Sequence, residues 1–226
     1  MKILIVAATK NEISPLLSVL EKTENKQDRY YCGSYQSHKI TILIAGIGMT
    51  STSYYTCKAF AEKFDLSINM GICGSFNTNL DIGSVVNIYE DCFAELGAED
   101  DEQFLTLSEM NLEGVQKIQN LKFKIQNDVI EKLPKVNGIT VNKVHGNEKS
   151  IGAVFNKFHP IVESMEGAAF MFVCEQEEIP YIQIRTVSNY VEKRNKEHWN
   201  IPLAIKQLNE KIIQILDTLQ PTLTTP

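Results

Sequence analysis

No run of apolar residues in this chain approaches the ~20 that a helix needs to cross a bilayer, which removes a membrane-spanning reading. Lysine and arginine are not clustered and the formal charge is −6, so neither nucleic acid nor an anionic membrane is an expected partner. The five cysteines, Cys32, Cys57, Cys73, Cys92 and Cys174, are odd in number, scattered and without a C-x-x-C pair. That pattern fits reduced thiols in a cytosol and not a disulfide scaffold. His38, His145, His159 and His198 show no H-E-x-x-H or Cys/His spacing, and there is no G-x-S-x-G elbow. Gly46-Ile47-Gly48 lacks a third glycine at dinucleotide spacing, and no GK[ST] follows it. No metal and no cofactor are therefore expected. The first segment, MKILIVAATKNE, has no small-residue cleavage site and runs at once into polar residues; it reads as a core strand of a soluble cytoplasmic protein.

What is present is enough for one sizeable core: 226 residues, 43% of them hydrophobic. Apolar runs of strand length recur at Lys2 to Ala8, Ile40 to Gly46, Leu66 to Ile72, Ser84 to Tyr89, Thr140 to Val144 and Tyr181 to Val187. Several are apolar throughout, as strands covered on both faces are. Helical patterns lie between them at Glu12 to Leu20, Ser51 to Phe64, Glu148 to Phe158, Glu166 to Glu177 and His198 to Leu219. The last is an amphipathic cover helix with Ile201, Ile205, Leu208, Ile212, Ile215 and Leu219 three or four apart and Pro202 in the first turn. The fold class is α/β, a three-layer α/β/α sandwich, with residues 1–219 as one domain and 220–226 as a flexible tail. Between Asp91 and Gly138 the pattern weakens around the acidic run Glu99-Asp100-Asp101-Glu102, which reads as an insertion or a set of loops.

Three places carry candidate chemistry. Glu12 follows the first strand, where open α/β sheets place ligand-binding groups; it is either a general base for a water or an acidic residue favoured by a helix dipole. Glu166, in Glu163-Ser164-Met165-Glu166-Gly167, is either an acceptor for both hydroxyls of a ribose diol, with Met165 against the sugar face, or an ordinary helix-start carboxylate beside a core methionine. In YIQIRTVSN the strand delivers Arg185, Ser188 and Asn189 to its C-terminal end. Asn189 either caps the next turn or reads a purine. The two hydrogens of its amide suit N7 and O6 of a 6-oxopurine, whereas a protonated Asp suits N7 and the 6-amino group of adenine. The glycines of Asn69-Met70-Gly71-Ile72-Cys73-Gly74-Ser75, at a strand end, allow a tight turn and close backbone approach to a ligand, and Cys73 reads as a small buried thiol.

Glu12, the SMEGAA turn and IRTVSN together resemble the nucleoside phosphorylase/nucleosidase superfamily over essentially residues 1–219. Within it, DCFAELGAED at 91–100 and SNYVEKRNKEHW at 188–199 resemble the futalosine hydrolases in particular. The resemblance implies a mixed central sheet flanked by helices, a homodimer or larger oligomer, and hydrolysis of the N-glycosidic bond of futalosine to hypoxanthine and dehypoxanthine futalosine in menaquinone biosynthesis. It implies that Glu12 activates water, that Met165 and Glu166 hold the ribose, and that Asn189 stabilises the leaving base with Ser188 and Arg185 bracing it. Ile72, Cys73 and Gly74 would line the site, and Phe93 is a candidate for the carboxyphenyl group. The chain departs from methylthioadenosine nucleosidases by Ile72 in place of Ser and Asn189 in place of Asp. Methylthioadenosine/S-adenosylhomocysteine nucleosidase activity and a non-catalytic purine-binding protein are the alternatives; no arginine or serine cluster for phosphate favours a phosphorylase.

Overall fold

The computed structural model describes residues 1–27, 29–123 and 125–220. The flexible tail expected at 220–226 lies, from residue 221 on, outside the described residues. The first half holds β1 (Lys2–Ala7), α1 (Lys10–Leu17), β2 (Glu21–Gln27), β3 (Tyr30–Tyr35), β4 (His38–Ile44), α2 (Met49–Ala59), β5 (Leu66–Ser75) and β6 (Val85–Phe93). Then come β7 (Gly97–Asp100), β8 (Gln103–Thr106), β9 (Lys117–Gln119), α3 (Asp128–Glu131), β10 (Lys135–Thr140) and α4 (Glu148–Phe158). The chain continues through β11 (Val162–Ser164), α5 (Gly167–Gln176), β12 (Tyr181–Tyr190), a short 3-10 turn at Lys196–His198, and α6 (Ile201–Thr218).

One mixed sheet of ten strands forms the centre, in the order β11-β10-β6-β12-β5-β1-β4-β3-β2 with β9 added on β6. β1 runs parallel to β4 and β5, and β12 runs parallel to β5 but antiparallel to β6. Alternation along the fully buried strands feeds two cores. Ile3, Ile5, Ile68, Ile182 and Ile184 meet Ile13 and Leu16 of α1 and Leu208, Ile212 and Ile215 of α6 on one face. Leu4, Val6, Leu43 and Tyr181 meet Ala59 of α2 and Ala168, Phe170 and Met171 of α5 on the other. The three-layer α/β architecture is thus present, with helices on both faces of a mixed sheet.

Three features differ from the expectations. The sheet is not simply open: β11 pairs with β10 and also, antiparallel, with β5, so β5, β12, β6, β10 and β11 close into a ring. The strand expected at Thr140 to Val144 ends at Thr140 and begins at Lys135, because its polar half is paired on β6 and bulges at Val136/Asn137. Beyond Thr140 the backbone leaves the sheet, Val141 N–H going to the Ser164 carbonyl and Asn142 N–H to Glu95. The segments 21–27 and 30–35, not expected as strands, extend the sheet beyond β4, with β2 at its edge; β2 carries the charged, exposed side chains that protect such an edge from further pairing. Within the weakly patterned 91–138 segment, the acidic run forms the β7–β8 hairpin, turning at Asp101 with φ +54°. Its Phe104 packs on Phe158 of α4 at 6.0 Å between ring centres.

Candidate active site

Glu12 sits in the first turn of α1 directly beyond β1 and is buried. Its Oε2 accepts from the Thr9 N–H at 2.8 Å and the Thr9 hydroxyl at 2.9 Å, the return half of a capping box, and Oε1 accepts from Ile72 N–H at 3.3 Å. Pro15 lies inside this helix, where its ring disturbs the hydrogen-bond ladder. The buried Asn209 of α6 repairs the ladder. Its Oδ1 accepts from Leu16 N–H at 3.0 Å and its Nδ2 donates to the Glu12 carbonyl at 2.8 Å, so the two groups that pair in a regular helix are bridged by one amide. The helix carrying Glu12 is thereby anchored to α6.

Arg185 of β12 is the largest fully buried side chain and 1% exposed. Its guanidinium donates from Nη2 to Asn69 Oδ1, while Asn69 Nδ2 donates to the Val6 carbonyl at 3.0 Å. Gly71, opposite Arg185 in the β5–β12 register, makes this possible: a Cβ there would stand 2.1 Å from Arg185 Nη1 and 3.1 Å from Glu12 Oε1. Glu166 enters from the start of α5, with Oε2 3.9 Å from Arg185 Nη2 and Oε1 accepting from Gly48 N–H at 3.1 Å. Gly48 holds φ +94°, a conformation that glycine adopts without strain. Burial raises the Glu166 carboxyl above its ordinary range, Arg185 and the Gly48 N–H oppose that rise, and Glu12 adds to it by repulsion. Two buried carboxylates and one guanidinium thus share a small volume at the strand ends, an arrangement suited to holding a polyhydroxylated ligand and a water between them.

The far end of β12 is shaped by a bulge between Val187 and Asn189. Buried Ser188 has one hydroxyl hydrogen within reach of two acceptors, Asn189 Oδ1 at 2.8 Å and the Cys73 carbonyl at 3.1 Å. The half-buried Asn189 donates one Nδ2 hydrogen to the Tyr190 carbonyl at 2.9 Å. One amide hydrogen is therefore free where the hydrogen-bond inventory had counted two, because the bulge folds the side chain against its own backbone. Gly74 makes room here, since a Cβ would meet Val191 Cγ2 at 2.9 Å and Asn189 Nδ2 at 3.3 Å. Burial pushes the Cys73 thiol up to about 12, the protonated state of an inert thiol.

Glu12, Ile72, Glu166 and Arg185 converge, and Cys73, Gly74, Ser188 and Asn189 adjoin them along β5 and β12. Met165 is half-buried beside Glu166. Phe93 ends β6 and packs edge-on against Phe172 of α5 at 6.5 Å between ring centres. The two carboxylates flanking the Ser164-Met165 turn have separate tasks. Glu163 accepts from His145 N–H at 3.0 Å and lies 2.7 Å from His145 Nδ1, which binds the 141–147 loop to β11. A cavity of about 490 Å³ between the β7–β8 hairpin and α4 is lined by His145 but by none of Glu12, Glu166, Arg185 or Asn189. Sequence reasoning gave Asn69 and Gly48, within the glycine-bearing stretches, no role of their own and overlooked Asn209. The glycine pair after β4 was a usable signal for Gly48; a polar residue on the buried face of α6 was one for Asn209.

Comparison with known proteins agrees with this geometry. The family model described as the phosphorylase superfamily matches residues 2–220. The aminodeoxyfutalosine nucleosidase of Campylobacter jejuni is 25% identical over 199 residues, 84% of this chain and 86% of that protein. The 5′-methylthioadenosine/S-adenosylhomocysteine nucleosidase of Buchnera aphidicola is 25% identical over 226 residues, 96% of each. Among solved structures, the Streptococcus pneumoniae MTA/SAH nucleosidase in complex with 8-aminoadenine superposes with a TM-score of 0.81 at 20% identity, covering 97% of this chain and 100% of that one. Futalosine hydrolase of Helicobacter pylori does so at 0.78 and 16% identity, covering 96% and 97%. With a family match that spans nearly its whole length and a sheet, helices and strand-end carboxylates disposed as described, this chain belongs to the phosphorylase superfamily.

Proposed function

We propose that this protein hydrolyses the N-glycosidic bond of futalosine, releasing hypoxanthine and dehypoxanthine futalosine, as a step in menaquinone formation. The observation that carries the reading is Asn189: a neutral amide at the end of β12 whose oxygen lies 2.8 Å from the Ser188 hydroxyl and whose nitrogen, beside Gly74, donates one of its two hydrogens to the Tyr190 carbonyl. The second amide hydrogen can go to N7 or O6 of a 6-oxopurine, both of which are acceptors. Glu12 activates the water, which adds to C1′ as the bond to the base breaks, and the departing base takes up a proton. Glu166 accepts from the ribose 2′- and 3′-hydroxyls and Met165 lies against the sugar. Charge develops on the sugar as an oxocarbenium ion and on the base as it leaves, so a hydrogen bond to N7 that strengthens during departure lowers the barrier. Arg185 holds the Glu166 side of the site and Ser188 holds Asn189. A cytoplasmic homodimer or larger homo-oligomer is the form we propose for the enzyme.

The relatives named aminodeoxyfutalosine nucleosidase and futalosine hydrolase support the substrate class. The full-length similarity to methylthioadenosine/S-adenosylhomocysteine nucleosidases favours a second reading, in which the same water attack releases adenine. Chromatography of the free base after incubation without phosphate separates them, using futalosine, its 6-amino analogue and methylthioadenosine side by side. Hypoxanthine from futalosine is the expected product. Adenine from methylthioadenosine with no turnover of futalosine would move the protein to the second reading, and no base from any of the three would leave a purine-binding protein.

A further inference from the structure

Behind the Glu166–Arg185 pair stands a carboxylate for which the proposed reaction has no direct use. Asp91 of β6 is 1% exposed. Its Oδ1 accepts from the Thr140 hydroxyl at 2.9 Å and from Cys92 N–H at 2.8 Å, and its Oδ2 accepts from Gln183 Nε2 at 3.0 Å. Thr140 Oγ1 in turn accepts from Ala168 N–H at 2.7 Å. The carboxylate therefore reaches, through one side chain each, the first turn of α5 two residues after Glu166 and the strand β12 two residues before Arg185. The fit around it is close: a Cβ on Gly167 would stand 2.2 Å from both Asp91 Oδ2 and Gln183 Nε2. Helix α5 approaches this group as nearly as a glycine allows.

We infer that Asp91 is a positioning residue, which through Thr140 and Gln183 holds the start of α5 and the Arg185 segment of β12 at one separation and so aims Glu166 at the ribose diol. The inference rests on the role proposed above for Glu166. A carboxylate accepting from three donors at once is well suited to the task, because each donor loses a strong, charge-assisted bond if its element shifts. A shift of about 1 Å at a substrate-holding group, caused from outside the site, costs on the order of 10²-fold in kcat/KM.

The test is steady-state cleavage of futalosine and its 2′-deoxy analogue by the parent, Asp91→Ala, Thr140→Val and Thr140→Ser, with melting curves for each. In Thr140→Val the shape is kept and the hydroxyl relay is lost. We expect kcat/KM on the riboside to fall about 10- to 100-fold, chiefly through KM, and the preference for the riboside to drop toward unity; Thr140→Ser should restore both. Folded Asp91→Ala and Thr140→Val that keep the parent's preference and KM would overturn the inference while leaving Glu166 in its role. A parent that cleaves both substrates equally would remove Glu166 from the diol and the inference with it. If Asp91→Ala does not fold, the Thr140 pair decides alone.

Discussion

The two faces of β12 are buried alike and built on opposite principles. Ile182 and Ile184 enter the apolar core beneath α6, where each side chain is stabilised by its own removal from water. Gln183 and Arg185, on the other face, are 1% exposed and depend on one another's partners: Asp91 for Gln183, Asn69 and Glu166 for Arg185. That face is not even saturated, since Gln183 Oε1 and Arg185 Nε have no hydrogen-bond partner among the described residues. A buried ion pair of this kind contributes little net stability compared with apolar side chains of the same volume. On the proposed function its place beside Glu12 accounts for it: the apolar face holds the strand and the polar face serves the reaction.

Breaking the polar face should cost most. Arg185→Met leaves Glu166 and Asp91 without their cation, and loss of one partner from a buried pair typically costs about 3–5 kcal/mol; denaturant unfolding should show a loss of that order together with loss of base release. Ile184→Ala on the other face should cost about 2–5 kcal/mol as a cavity and leave kcat of the folded enzyme near normal. An equal kcat loss in both variants would erase the distinction.

Titration sharpens the same contrast. Burial lifts Asp91 to about 6, against the pull of its bonds to Gln183 and Thr140. The native state therefore holds this proton more tightly than the unfolded chain, so the contribution is fully present below about pH 4 and is lost as pH rises through about 6. The size is about 3 kcal/mol, and the raised Glu166 acts in the same direction. Asp91→Asn should flatten the stability profile between pH 4 and 6; an unchanged slope would mean that Asp91 does not titrate there.

Two substitutions separate reaction from binding. Glu12→Gln keeps a hydrogen-bonding side chain in the capping position and removes the base, and kcat should fall by roughly 10²-fold or more with little change in melting temperature. A near-normal rate would place the base elsewhere. The smallest expected effect is Asn189→Asp, which should move preference from the 6-oxo toward the 6-amino purine by leaving the wrong partner unpaired. Similar rates on both bases in parent and variant would take Asn189 out of base selection.

Reading the chain residue by residue located Glu12 after β1, Glu166 at the start of α5 and Asn189 at the end of β12. Each lies where an apolar period stops and a polar residue begins, and that transition is visible locally. The edge strand β2 was not legible, because a solvent-facing strand carries the same polar residues as a loop. Asn209 and Asp91 were missed for a different reason: one polar residue in a helix period or a strand pattern has the same local signature whether it meets water or a partner.

The sequence by itself determined the class of fold, the order of the strands and helices that apolar runs and periods mark, and the residue types available at the strand ends, since hydrophobic periodicity is a property of the backbone repeat. The tertiary structure alone decided that β11 closes on β5, that Asn209 repairs the helix carrying Glu12, and that the amide of Asn189 keeps one hydrogen free. The first two depend on groups far apart in the chain, up to 197 positions for Asn209 and Glu12, being brought within hydrogen-bond reach, and the third on the bulge in β12; the specificity of such contacts lies in distance and direction, which a linear pattern does not contain.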